Sequence, residues 1–287
     1  MNSKLVSRLL IFFVGLPLVL STVWFLPQKN HLAVNILITV FCALGAVEFS
    51  SILKHKNILI GKIEAAVLGL IIPTSVTILV SFMNSAHPII IQCFFALGAA
   101  WVLISRTFLD EKKLDGVINY LAAGFAVLFY PGAFLSWVIL MNRLPQSNYL
   151  IVAFLFIVLI NDSLAWFFGI LFGKNNRGLI AASMNKSLAG FIGGMLASVA
   201  AGVCLAVFLP DIFKSARYPA VVSGLILGFL TGLAGILGDL SESAIKRSAG
   251  VKDSGGMVPG RGGILDSIDS LCLAAPVFYM VFRFLFL

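Results

Sequence analysis

Residues 218–240 read YPAVVSGLILGFLTGLAGILGDL, with no charge before Asp239, and residues 241–270 continue as SESAIKRSAGVKDSGGMVPGRGGILDSIDS. The first run is long enough to cross the hydrocarbon core of a bilayer as one helix, which takes about 17 to 25 apolar residues. A second apolar run, 271–287, follows the polar stretch. Further runs of this kind fall near 9–27, 32–53, 64–82, 87–105, 117–140, 149–172 and 189–209. Of the 287 residues, 60% are hydrophobic and 11% charged, whereas roughly a quarter of the residues of a soluble domain are charged. The expected fold is therefore all-α: a polytopic integral membrane protein with about nine transmembrane helices. A removable signal peptide has a shorter apolar core and a small-residue cleavage site, so the first run is expected to be a retained span. The longest polar stretch, 241–270, is too short for a soluble domain. A single membrane domain over 1–287 is expected, with 1–148 mainly scaffold and 149–287 carrying the active site.

The net charge of +8 suits either nucleic acid or anionic lipid, and the positions of the charges separate the two. With the N-terminus in the cytoplasm, Lys29, Arg143, Lys214, Arg217 and Arg283 lie on the far side, and the other fifteen Lys and Arg residues lie inside. That bias follows the positive-inside rule. It predicts a multi-pass protein of the cell (inner) membrane with the loop around Lys252 facing the cytoplasm. The cations are scattered over short loops without interleaved aromatics, which argues against a nucleic-acid module. Cys42, Cys93, Cys204 and Cys272 all sit in apolar runs without paired spacing, so neither a disulfide framework nor a zinc site is expected.

Chemistry concentrates between Ser243 and Ser270. Lys246, Arg247, Lys252 and Arg261 suit phosphate oxygens, and Asp253, Asp266 and Asp269 are hard oxygen ligands of the kind Mg²⁺ prefers. Six glycines in the same stretch let backbone N–H groups approach a polyphosphate. The combination predicts metal-assisted chemistry on a phosphate or nucleotide at a membrane surface. Upstream, Asp239, Ser243, Lys246 and Arg247 are spaced to share one face of a helix leading out of the bilayer. Asp162 and Asp239 are ionisable residues inside apolar runs, which are costly there and by default functional. Glu48 is similarly placed but has no motif around it, and a helix-to-helix hydrogen bond is the plainer expectation. Gly224, Gly228 and Gly232 give one helix face with almost no side-chain volume, suited to packing inside the protomer or to a homodimer seam.

The order Lys246-Arg247, Lys252-Asp253, then Pro259-Gly260-x-Gly262-Gly263-x-x-Asp266-x-x-Asp269 resembles the signature of the phosphatidate cytidylyltransferase (CDP-diacylglycerol synthase) family. Arg261 stands where that family usually has His, and Ser267 where it usually has Arg. Asn161-Asp162 and Ser183-Met184-Asn185-Lys186-Ser187 continue the resemblance, with Met184 in place of the usual Pro and Ala189 in place of the usual Glu. The matches run from Asp162 to Asp269.

The resemblance implies CTP and phosphatidic acid, drawn from the surrounding membrane lipids, as substrates, and CDP-diacylglycerol and pyrophosphate as products. Lipid phosphate is already an anionic nucleophile at neutral pH, so charge neutralisation and in-line positioning are the expected catalytic devices. Lys246, Arg247, Lys252, Asp253 and Asp162 are the expected catalytic residues. Ser183, Asn185, Lys186, Ser243, Arg261, Gly262 and Gly263 are expected to bind substrate. Asp239, Asp266 and Asp269 are expected to hold Mg²⁺, with a second cation possible. The competing expectations are an ion-coupled transporter built on Asp162 and Asp239, and a CTP-dependent lipid kinase that moves the γ-phosphate.

Overall fold

The computed structural model describes residues 15–83, 88–107, 111–258, 260 and 262–286. Arg261, one of the expected substrate contacts, lies outside them. The described chain is helical, with only two isolated bridges, Arg177 with Ser187 and Val258 with Gly262. Seven helical segments are long and apolar enough to cross a membrane, one of them, Leu114–Met141, made of two helices joined by a π-helical turn over Leu128–Ala133. The run at 87–105 yields a helix of 16 residues, Ile89–Ile104. At 1.5 Å per residue that reaches about 24 Å, short of a core of roughly 30 Å. Of the first run, the described part forms a helix over Leu16–Phe25. Hydropathy thus located the apolar runs, while turns inside them set the helix lengths.

The chain divides into two compact units, 1–143 with 248–268 and 144–247 with 269–287. The first contains α1 (Leu16–Phe25), α2 (Gln28–Lys54), α3 (Lys62–Phe82), α4 (Ile89–Ile104), α5 (Val117–Val127) and α6 (Phe134–Met141). Its helices are apolar nearly all round, as bilayer helices are, and small residues set how closely they pack. A Cβ on Gly69 would stand 2.5 Å from that of Ala46 and 2.9 Å from the Cys42 carbonyl oxygen, so α2 and α3 meet backbone to backbone. Nearby, the buried Asn142 donates to Asn35 Oδ1 at 2.6 Å, and Asn35 donates to Ser81 Oγ at 3.1 Å. Glu64, at the start of α3, accepts from Tyr120 OH at 2.5 Å and from Trp101 Nε1 at 3.0 Å. These hydrogen bonds satisfy polar groups that hydrocarbon would leave unsatisfied.

The second unit holds α7 (Ser147–Phe172), α8 (Leu188–Phe208), the short α9 (Pro210–Phe213) and α10 (Ala220–Ser248), together with α11 (Leu265–Phe286) from Asp269 onward. Its glycine face is helix packing within the protomer: Gly224 lies against the Gly202 backbone and Gly228 against that of Ser198, both on α8. Asn161 on α7 bonds Ser198 Oγ at 2.8 Å, fastening the third helix to the seam. Ser187 caps α8 by accepting from the Gly190 amide at 3.1 Å. Two helices extend past their apolar runs, the first as the shared helix face from Asp239 to Arg247 predicts. α10 runs to Ser248 because Glu242 and Lys246 pair one turn apart, and Lys246 and Arg247 oppose the helix dipole in the last turn. α11 starts at Leu265, so the connection shrinks to residues 249–264.

Candidate active site

In the second unit, four elements contribute to one polar cluster. α10 supplies Asp239, Glu242, Ser243 and Lys246, α7 supplies Asp162, the turn before α8 supplies Lys186, and α11 supplies Asp269 and Ser270. Lys186 is ion-paired with Asp239, and Ser243 Oγ donates to Asp239 Oδ1 at 3.5 Å. Ser270 Oγ donates to Asp162 Oδ2 at 3.1 Å, and the Ser270 amide to Asp269 Oδ1 at 2.6 Å. Asp269 is only 8% exposed and interacts electrostatically with Asp239, Glu242 and Asp162. Lys246, equally buried, is paired with Glu242. A Cβ on Gly238 would stand 2.6 Å from the Asp269 carbonyl oxygen, so glycine is what lets α10 and α11 meet at this level. Four carboxylates, two of them buried and two half-buried, outnumber two lysines, an arrangement that favours an added cation.

The expected ladder on α10 is therefore present, with Glu242 as an added member. Of the other expected residues of this unit, Ser183 closes a 3₁₀ turn over Ala181–Ser183 and accepts the Lys186 amide at 3.0 Å. Asn185 is exposed in the same turn, and Arg247 is exposed at the end of α10.

The signature loop belongs to the first unit. Lys252 and Asp253 are exposed, whereas Ser254 is buried. Asp266 Oδ2 accepts from the Ser254 amide at 2.8 Å, from Ser254 Oγ at 2.8 Å and from the Gly263 amide at 2.7 Å. Gly262, at φ +117°, takes a backbone shape that side chains rarely adopt. Its amide donates to the Val258 carbonyl at 3.0 Å. Both glycine amides that were expected to meet a phosphate are thus engaged inside the loop. Behind them lies Glu48 on α2, whose Oε2 accepts from the Leu265 amide at 2.8 Å and from Ser254 Oγ at 3.1 Å.

Glu48, Ser254, Glu242 and Ser270 were not among the expected site residues. Glu242 had a signal, its i,i+4 spacing to Lys246, and so did Glu48, an acid in an apolar helix. Ser254 and Ser270 had none, because serine is common wherever a helix meets a loop. Among the described residues no group of three or more acidic, His or Cys side chains forms a ready-made metal site.

The residues that build the acid–lysine cluster of the second unit and the acid-anchored loop of the first unit have counterparts in sequence. The model of the cytidylyltransferase family matches residues 6–285, and the chain belongs to that family. A protein of Thermotoga maritima named phosphatidate cytidylyltransferase is 36% identical over 208 residues, which cover 68% of this chain and 69% of that one. One of the same name from Staphylococcus saprophyticus is 32% identical over 189 residues, 63% of this chain and 65% of the relative. An Escherichia coli K12 protein, described as uncharacterized protein YnbB, is 32% identical over 195 residues, 67% and 61%. The chain therefore spans less than two thirds of the length of the last two relatives.

Proposed function

We propose that this protein transfers the cytidylyl group of CTP to phosphatidic acid, giving CDP-diacylglycerol and pyrophosphate. The observation that carries this reading is the cluster of half-buried Asp162, Lys186 and Asp239 around the buried Asp269, a site for polyanions and their counter-ions in a lipid-embedded unit. An apolar groove lined by Phe191, Met195, Leu233 and Leu240 runs beside it, with the Lys186 ammonium 5.9 Å from the Phe191 ring centre. A lipid chain in the groove would present its phosphate at Lys186.

A phosphate oxygen of the lipid attacks the α-phosphorus of CTP, a new P–O bond forms, and the bond to the β-phosphate oxygen breaks. Pyrophosphate leaves with that oxygen. The nucleophile is already anionic, so no base is needed. Lys186, Lys246, Arg247 and Lys252 neutralise the meeting anions, and Ser183, Asn185, Ser243 and Arg261 supply further donors. Asp162 orients Ser270, and Asp253 flanks the loop.

Mg²⁺ fits the donor set, because it needs only one or two carboxylates besides water and phosphate oxygens. Asp239 and Asp269 would hold it, with Asp266 the third candidate ligand. When bound it would offset charge on the phosphates and help pyrophosphate leave; a second cation belongs to the same proposal. The loops around Lys186 and Lys252 are proposed to face the cytoplasm, where CTP is. A homodimer would have to use a surface other than the α10 glycine face. Purified protein is to be incubated with phosphatidic acid, Mg²⁺ and CTP labelled at either the α or the γ phosphate. Label from the α position should appear in lipid. Label in lipid from the γ position would mean a kinase, and consumption of neither would leave a transporter.

A further inference from the structure

The geometry points to Glu48 as a positioning residue for the signature loop: from α2 it caps the N-terminus of α11 and, through Ser254, holds the loop against Asp266 in the first turn of that helix. Its activity readout rests on the transferase reading, but its structural readout does not.

Glu48 is 3% exposed, in a helix whose other buried residues are mainly apolar or small. An ionisable side chain there is expensive and calls for specific partners. Those partners come from 206 and 217 residues away along the chain, Ser254 Oγ and the Leu265 amide, both on Oε2. Leu265 is the first residue of α11. The leading amides of a helix have no partner within it and carry a partial positive charge, so a carboxylate is well matched to them.

From Ser254 the chain of contacts passes to Asp266. Ser254 Oγ lies 2.8 Å from Asp266 Oδ2 and accepts from the Asp266 amide at 3.3 Å. One hydroxyl proton thus serves two carboxylates, and a displacement of Glu48 would be felt at Asp266 through Ser254.

Two glycines are explained by the same side chain. A Cβ on Gly255 would collide with Glu48 Oε1 and stand 2.8 Å from its Cδ. A Cβ on Gly263 would collide with Ser254 Oγ and Glu48 Oε2. Neither glycine has a positive φ. Space for the Glu48 carboxylate, joined at Gly263 by the Ser254 hydroxyl, and not a left-handed backbone, is what favours glycine at both positions. Part of the glycine content of the loop therefore serves an acid from the other end of the chain.

The test uses the full-length protein in detergent with Glu48→Ala, Glu48→Gln, Gly255→Ala and the double variant Gly255→Ala/Glu48→Asp. Amide hydrogen exchange at Ser254 and Leu265 reads the latch without any activity. Glu48→Ala should speed exchange at both amides by at least about 10-fold, and Glu48→Gln, which keeps one acceptor oxygen, should speed it less. In the transfer assay kcat should fall on the order of 10- to 100-fold, the range found for residues that support metal-binding groups, while KM for CTP changes little. Glu48→Asp retracts the anion by one methylene. It should therefore rescue Gly255→Ala, giving the non-additivity expected of residues in contact. Parental exchange at both amides in Glu48→Ala would overturn the proposal. So would a Gly255→Ala defect of equal size with and without Glu48→Asp, a comparison that stands even where Glu48→Ala does not fold. A parent protein that makes no CDP-lipid would count against the transferase reading, and the exchange data would still decide the latch.

Discussion

Asp269 shows most clearly how function and stability oppose one another here. It is almost completely buried, and three further acids act on it. Like charges held together in a low-dielectric interior weaken the fold unless a cation joins them. Asn keeps the shape and one oxygen but removes the anion. Asp269→Asn is therefore expected to raise the thermal stability of the Mg²⁺-free protein, by about 1 kcal/mol, as removal of functional strain commonly does. It should at the same time lower transfer on the order of 100-fold. A melting curve in detergent with and without Mg²⁺, beside the CDP-lipid assay, checks both, and a loss of stability in the Mg²⁺-free variant would contradict the account. Asp162 and Asp239 were legible in the sequence because an acid in an apolar run is rare and stands out, and Asp269 because it closes the fixed-spacing signature. The pairing of Asp239 with Lys186, 53 residues apart, was not, since it depends on which turn of one helix faces which loop.

Helices here were legible as apolar runs, but their ends and contacts follow from neighbours. The polar end of α10 was legible from the spacing of Asp239, Ser243, Lys246 and Arg247, whereas the buried pairing of Glu242 with Lys246 inside it was not. The seam between α8 and α10 is set by absent volume: Gly228 lies against the Ser198 carbonyl and Gly224 against that of Gly202. Gly228→Leu should push the two helices apart and cost about 1 to 3 kcal/mol, as overpacking does. Gly116→Ala is the control, because a Cβ there has nothing within 4 Å. Comparison of detergent melting temperatures tests the pair of variants, and equal stability of the two would contradict a backbone-to-backbone seam.

For the chain as a whole, with all nine apolar runs taken as spans, the fifteen-to-five distribution of cations predicts that the loop 249–264 faces the cytoplasm. Met257 is exposed in that loop, which makes it a better reporter than the buried Ser254. With the four native cysteines replaced, Met257→Cys should resist an impermeant thiol reagent in intact cells and react in inverted vesicles; the reverse pattern would reverse the orientation. The membrane class, the all-helical fold and the cytidylyltransferase signature were all open to inspection in the linear chain. Apolar run length, the cost of an unpaired amide in lipid and fixed residue spacing are properties of the chain taken in order. What depended on the folded molecule was the set of partners: Glu48 under the Leu265 amide, Ser254 between two carboxylates, Glu242 beside Lys246 and the α10 glycines against α8. Such contacts join residues far apart in sequence, or choose among many similar serines and glycines. They arise only once helices pack and every buried polar group has to find a partner.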